Sequence, residues 1–153
     1  FAIVIMFVLG TGVINVFLAI GFVGWTGIAR IIRAQVMQLK EKEFVEAARA
    51  SGGSDLKIIL RHLIPNCLST IIVVVTMAIP SDIMYEASLS FLGLGVQPPV
   101  SSWGEMISMA RKYLRTNPTY SVFPGIALVL TVLAFNLLGD ALRDALDPKL
   151  KNL

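Results

Sequence analysis

The chain has 153 residues, 56% hydrophobic and only 15% charged, with a formal net charge of +3. Soluble domains carry nearer a quarter charged residues, so a mean hydropathy of +0.76 sets this chain apart from them. A single cysteine, Cys67, excludes an intrachain disulfide and a cysteine-cluster metal site.

The apolar residues gather in four blocks. Phe1–Leu9 is too short to cross a bilayer alone, since a crossing takes about 20 residues. No charged segment precedes it, as one would in a secretory signal. The chain therefore reads as a fragment that begins inside a span, with more protein upstream. Gly10-Thr11-Gly12 predicts a turn. The second block runs from Val13 to about Ile32, interrupted only by Asn15, Thr26 and Arg30. Its Gly21, Gly24 and Gly27 suit close helix packing. The third block runs from Leu63 to about Ile79 and is expected to end at Pro80-Ser81. Pro65 sits in its first turn, where a missing N–H does no harm. The fourth is Val122–Leu138, opened by Pro124 and closed by Gly139-Asp140.

Backbone polar groups inside a bilayer must be satisfied within the segment, so each block is predicted helical. The alternating strands of a membrane barrel are absent. The expected fold class is all-α, a polytopic transmembrane helical bundle.

Lys and Arg set the expected orientation. The loop between blocks two and three carries Arg33, Lys40, Lys42, Arg49, Lys57 and Arg61, with Arg30 just before it; the tail carries Arg143, Lys149 and Lys151. Cytoplasmic segments are enriched in such residues. The loop and tail are therefore expected in the cytoplasm, and residues from about 85 to 120 outside, although Arg111, Lys112 and Arg115 blur the rule.

Within the loop, residues 40–50 are mostly good helix formers. Phe44, Ala47, Ala48 and Ser51 fall on one helical face. One large aromatic residue followed by small ones can enter a groove on another protein. Gly52-Gly53 allows the left-handed geometry that ends a helix. Ser54 or Asp55 then caps a second short helix through His62, whose last-turn position suits a cation. Periodicity alone leaves open a basic amphipathic segment resting on anionic lipid.

The pattern goes further. Glu46-Ala47-Ala48, then Gly52, then His62-Leu63-Ile64-Pro65 resembles the EAA loop of ABC importer permeases, which prefers Ile at position 62 and Leu at 64. Ala87-Ser-Leu-Ser-Phe-Leu-Gly-Leu-Gly-Val-Gln-Pro-Pro99, Ser102-Trp103-Gly104 and Asn136-Leu-Leu-Gly-Asp140-Ala-Leu-Arg143-Asp-Ala-Leu-Asp147-Pro148 resemble the C-type inner-membrane subunit of the dipeptide/oligopeptide (nickel) transport group.

That resemblance implies a single transmembrane permease domain over residues 1–153, truncated at its N-terminus, with a cytoplasmic coupling loop at about 40–63. Phe44, Glu46, Ala47, Ala48, Gly52 and Pro65 would couple it to an ATPase. The implied partners are two ABC ATPase subunits, a second permease subunit in a heterodimer, an extracytoplasmic substrate-binding protein and the lipid bilayer; no nucleic acid is implied. The implied location is a bacterial or archaeal inner membrane. The implied cargo is a di- or oligopeptide, with a nickel chelate or glutathione as alternative.

The chain has no G-x-x-x-x-G-K-[ST] phosphate loop and no Ser/His/Asp constellation. It is read as a transporter subunit without catalytic residues, metal or cofactor of its own; ATP and Mg would be bound by partner subunits. Outside the class, a channel-like subunit would need no coupling loop, and a membrane enzyme would need convergent polar groups that these spans lack.

Asp82 and Glu86 are four apart and share a face if residues 81–91 are helical. Ionisable residues at membrane depth are functional candidates, and carboxylates at an outer mouth would welcome a substrate ammonium. Asp82 also suits a turn after Pro80. Ser88–Gly95 reads as a short helix or re-entrant element, Trp103 as an interfacial anchor, and the segment 103–120 as a seat for the binding protein. Asp140, Arg143, Asp144 and Asp147 can pair along one helix face, with Pro148 ending that helix.

Overall fold

The computed structural model describes residues 1–146. Asp147, Pro148, Lys149 and Lys151, invoked above, lie outside them. The chain is all-α, with no strand among the described residues: α1 (Ala2–Leu9), α2 (Val13–Lys40), α3 (Glu43–Ala50), α4 (Asp55–Ile58), α5 (Ile64–Phe91), α6 (Trp103–Ala110) and α7 (Thr119–Leu146). Among the described residues, three stretches are long and apolar enough to cross a membrane: Val13–Lys40, Asp55–Phe91 and Thr119–Leu146.

Gly10 and Gly12 both take positive φ, and the chain reverses there as expected. Asn15 explains its place in an apolar block: its side-chain amide donates to the Leu9 and Gly10 carbonyls at 2.8 and 3.1 Å. Those carbonyls would otherwise be orphans of the α1 terminus. Met6, Val16, Ala19 and Leu89 then form an apolar cluster joining α1, α2 and α5.

Each predicted span is longer in the structure. α2 continues past Ile32 to Lys40, because residues 33–40 are good helix formers. α5 does not stop at Pro80-Ser81 but runs through a buried Pro80 to Phe91. Proline forfeits one backbone bond, and a helix packed on its neighbours tolerates that loss. Ser88–Phe91 is therefore the last turn of α5, not a separate re-entrant element. α7 starts before Pro124 and passes Gly139-Asp140 unbroken.

The second short helix of the loop is likewise absorbed. α4 passes into a π-helical turn, Ile59–Leu63, and straight on into α5, so one 37-residue helix spans Asp55–Phe91. The Ile64 N–H donates to the Ile59 carbonyl, five residues back. The widened turn lies directly before Pro65, whose ring would clash with the carbonyl four residues earlier in a regular helix. His62 is thus inside a helix, and the dipole argument for it lapses.

α2, α5 and α7 pack antiparallel in sequence. The site of a Gly139 Cβ lies 3.2 Å from Met77 of α5. The 41–63 loop and the C-terminal end of α7 therefore share one end of the bundle, and α6 lies at the other. Gly21, Gly24 and Gly27 meet no close neighbour among the described residues, so the packing expected of them is not made there.

Candidate functional site

At the loop end, α3 is tied down by apolar contact. Val45 is 2% exposed and clusters with Ile58 and Leu63, with Val36, Leu39 and Ala48 packed against them. These residues come from α2, α3, α4 and the π-helical turn, so α3 is joined to the ends of both α2 and α5. The opposite side of α3 is open: Phe44, Glu46, Ala47, Ala50 and Ser51 are exposed. The predicted face is therefore corrected at one position. Phe44, Ala47 and Ser51 point outward, but Ala48 turns toward the Val45 cluster, because the inward face is set by where α2 and α4 lie. The Phe44 and His62 rings stand 6.2 Å apart at 42°.

The helix end is a Schellman motif. Gly52 has φ +79°, its N–H donates to the Arg49 carbonyl at 3.0 Å, and the Gly53 N–H donates to the Ala48 carbonyl at 3.1 Å. A Cβ on Gly53 would lie 2.7 Å from that same carbonyl oxygen. Both glycines are thus required, for different reasons: one for its dihedral, the other for space. Arg49 and Asp55 form an exposed ion pair at 3.8 Å, which contributes little to stability. Pro65 is exposed one turn beyond the loop. Phe44, Glu46, Ala47 and Gly52 are brought together on one knuckle; Pro65 lies apart, and Ala48 supports from beneath.

At the other end, Asp82 and Glu86 do share a face. Both are half-buried and line a cavity of about 650 Å³ between α2, α5 and α6, walled by Phe17, Ile20, Trp103 and Met106. Trp103 is part of this wall and half-buried. Glu86 accepts a hydrogen bond from Ser90 Oγ at 2.6 Å, and Ser90 Oγ accepts the Val96 N–H at 3.0 Å.

Sequence reasoning missed the residues that shape this end. Ser90 is buried, and a Cβ on Gly95 would run into it. A Cβ on Gly104 would run into the Ala87 backbone, so α6 lies directly on α5. Ser102 caps α6 by accepting the Glu105 N–H at 3.2 Å, a spacing readable as the capping pattern Ser-x-x-Glu. Asp140, Arg143 and Asp144 are exposed on α7 and make no ion pair among the described residues. No group of three His, Cys, Asp or Glu side chains among the described residues could hold a metal.

Comparison with known proteins bears on the whole chain. Residues 1–152 match the family described as binding-protein-dependent transport system inner membrane component. Over 150 residues the chain is 50% identical to the glutathione transport system permease protein GsiD of Escherichia coli O1:K1 / APEC, of Shigella flexneri serotype 5b (strain 8401) and of Escherichia coli O157:H7. The alignment covers 98% of this chain and 50% of each relative, so the chain spans about half the length of the curated relatives it matches. A match of that extent, on a helical bundle with three membrane-length helices, places the chain in the binding-protein-dependent inner membrane component family, the ABC importer permeases that its loop motif resembles.

Proposed function

We propose that this chain forms part of a permease subunit that passes a short peptide from an external binding protein to the cytoplasm, driven by separate ATPase subunits. The observation that carries this reading is mechanical. α3 is fixed to the start of a continuous helix, Asp55–Phe91, about 55 Å long at 1.5 Å per residue. The far part of that helix bears Asp82 and Glu86, which face the 650 Å³ cavity. A push on the exposed face of α3 is transmitted to the cavity wall as a rigid-body tilt, without any catalytic chemistry in this chain. A groove on one of two ATPase subunits would receive Phe44, Ala47 and Ser51. A second permease subunit would complete the pathway across the inner membrane.

Among short peptides, glutathione is favoured by the 50% identity to glutathione permeases. Its free ammonium group suits the two carboxylates.

The test is transport by the complete importer in proteoliposomes. Ala47 is exposed in this chain, so Ala47→Arg changes the folding stability of the permease subunit itself only by the amount of a surface substitution, about 0.5 kcal/mol. Peptide uptake is expected to be lost, because the guanidinium cannot enter a groove fitted to a methyl group. Unchanged uptake would remove α3 from the coupling path. Labelled glutathione and labelled dipeptide, each competed with the other, then decide the cargo.

A further inference from the structure

The end of the bundle that holds α6 contains a second cavity, of about 520 Å³, which the transport path above does not use. α6 presents Trp103 and Met106 to the first cavity, and Glu105, Ser108 and Met109 to this one. Glu105 is only 6% exposed, and its Oε1 is closed off from solvent with no hydrogen-bond partner. In a complete capping box the glutamate side chain would reach back to the N-cap N–H. Here Ser102 accepts from the Glu105 backbone, but Oε1 goes unmatched. A buried carboxylate oxygen without a donor is rare and costly.

Two donors of the other walls are already in use. Gln97 Nε2 donates to the Gly93 carbonyl at 3.1 Å, and Ser108 Oγ donates to the Phe91 carbonyl at 2.9 Å. Their oxygens remain as acceptors. Two exposed cations, Arg111 and Lys112, complete the lining. Neither has a carboxylate in ion-pair contact among the described residues; Lys112 Nζ lies 5.3 Å from the Tyr113 ring centroid. Acceptors within and cations at the rim complement a molecule with an ammonium group at one end and a carboxylate at the other.

We propose that this cavity binds a zwitterion of amino-acid or short-peptide size, its ammonium on Glu105 and its carboxylate on Arg111 and Lys112. The terminal torsion of a glutamate is broad, so an arriving donor can draw either carboxylate oxygen. The cargo identity rests on the importer reading, but the site does not share residues with the Asp82–Glu86 cavity.

The test is calorimetric titration of the purified, intact permease–ATPase complex with glycylglycine, with N-acetyl-glycylglycine, which lacks the ammonium, and with glycylglycine amide, which lacks the carboxylate. Glycylglycine is expected to bind saturably, and each blocked form about 10- to 100-fold more weakly, as the loss of a charge-assisted hydrogen bond implies. In a complex that already carries Asp82→Asn and Glu86→Gln, so that the first cavity no longer reads an ammonium, Glu105→Gln should erase the difference between glycylglycine and its acetylated form. The double variant Arg111→Ala with Lys112→Ala should erase the difference between glycylglycine and its amide. Those two residues are exposed, so this second variant stays informative if the first fails to assemble. Absence of saturable glycylglycine binding, or discrimination that survives the double variant, overturns the proposal. ATP-driven uptake is measured on the same complex supplied with its binding protein. Uptake without a glycylglycine site sinks this inference alone, whereas absent uptake sinks the importer reading.

Discussion

The two ends of the bundle are built by opposite means. The loop end is held by apolar contact and by backbone capping: Val45, Ile58 and Leu63 are buried, and the Gly52-Gly53 motif satisfies the last carbonyls of α3. Among the described residues its charged side chains are exposed, and the ion pair Arg49–Asp55 is a surface pair. The α6 end is held by backbones in close approach, at Gly95 and Gly104, and it buries polar groups, Ser90 and Glu105. Two open clefts lie there. One end presents an exposed helix face on an apolar base; the other leaves open space between its helices. A part that must be gripped needs a firm base and an accessible face. A part that must hold a polar molecule needs space lined by unmatched polar groups, and small residues where helices have to meet.

The sharpest way to break the second half of that contrast is Gly104→Ala. The added methyl would meet the carbonyl oxygen, Cα and carbonyl carbon of Ala87, all backbone. Nothing there is the flexible end of a side chain, so α6 must lift from α5. Overpacking of this kind costs about 3 kcal/mol or more at its severe end, expected as a marked fall in the unfolding midpoint of the purified complex. An unchanged midpoint would show that α6 does not seat on α5 through this glycine.

At the loop end the comparable glycine fails for a different reason. Gly52 has open space around it but a φ of +79°, a region that costs an L-residue about 1–2 kcal/mol. Gly52→Val is therefore expected to weaken the bend by that amount, to abolish uptake and to leave ATPase activity uncoupled from it. Gly52→Asn, which tolerates left-handed geometry, should retain both. A channel-like subunit would conduct equally in either variant. The pair of substitutions thus separates dihedral strain from the mere loss of a glycine.

Much of this was legible in the sequence, and what was not has identifiable causes. Apolar runs announced the spans, and the Gly52-Gly53 bend followed from local geometry alone. The shared face of Asp82 and Glu86 followed from helical period once residues 81–91 were helical. The ends of the spans differ from the sequence expectation because proline and glycine break helices only where nothing else holds them; Pro80 is buried in a packed helix, and Gly139 lies against Met77. Pro65 stands in the first turn of α5 as its position predicts, and the π-helical turn before it joins α5 to α4 in one continuous helix, which local pattern does not show. Ala48 differs from Ala47 only in what surrounds it. Ser90 and Glu105 are single polar residues in sequence and acquire meaning only when a neighbouring helix closes over them.

The mildest and most selective test concerns the cavity wall itself. Replacing Asp82 and Glu86 together by Asn and Gln removes both charges while keeping nearly the same volume. Glu86→Gln still offers Ser90 Oγ an acceptor oxygen, so the Ser90–Val96 link that shapes the last turn of α5 is preserved. The fold should therefore be undisturbed, unlike Gly104→Ala, and ATPase coupling intact, unlike Gly52→Val. If the two carboxylates receive the ammonium of the cargo, uptake of a dipeptide should fall about fivefold, equivalent to roughly 1 kcal/mol. Uptake of an analogue lacking the ammonium should not change. An equal fall for both compounds would assign the pair to scaffolding, because a structural role cannot distinguish a charged terminus from a neutral one.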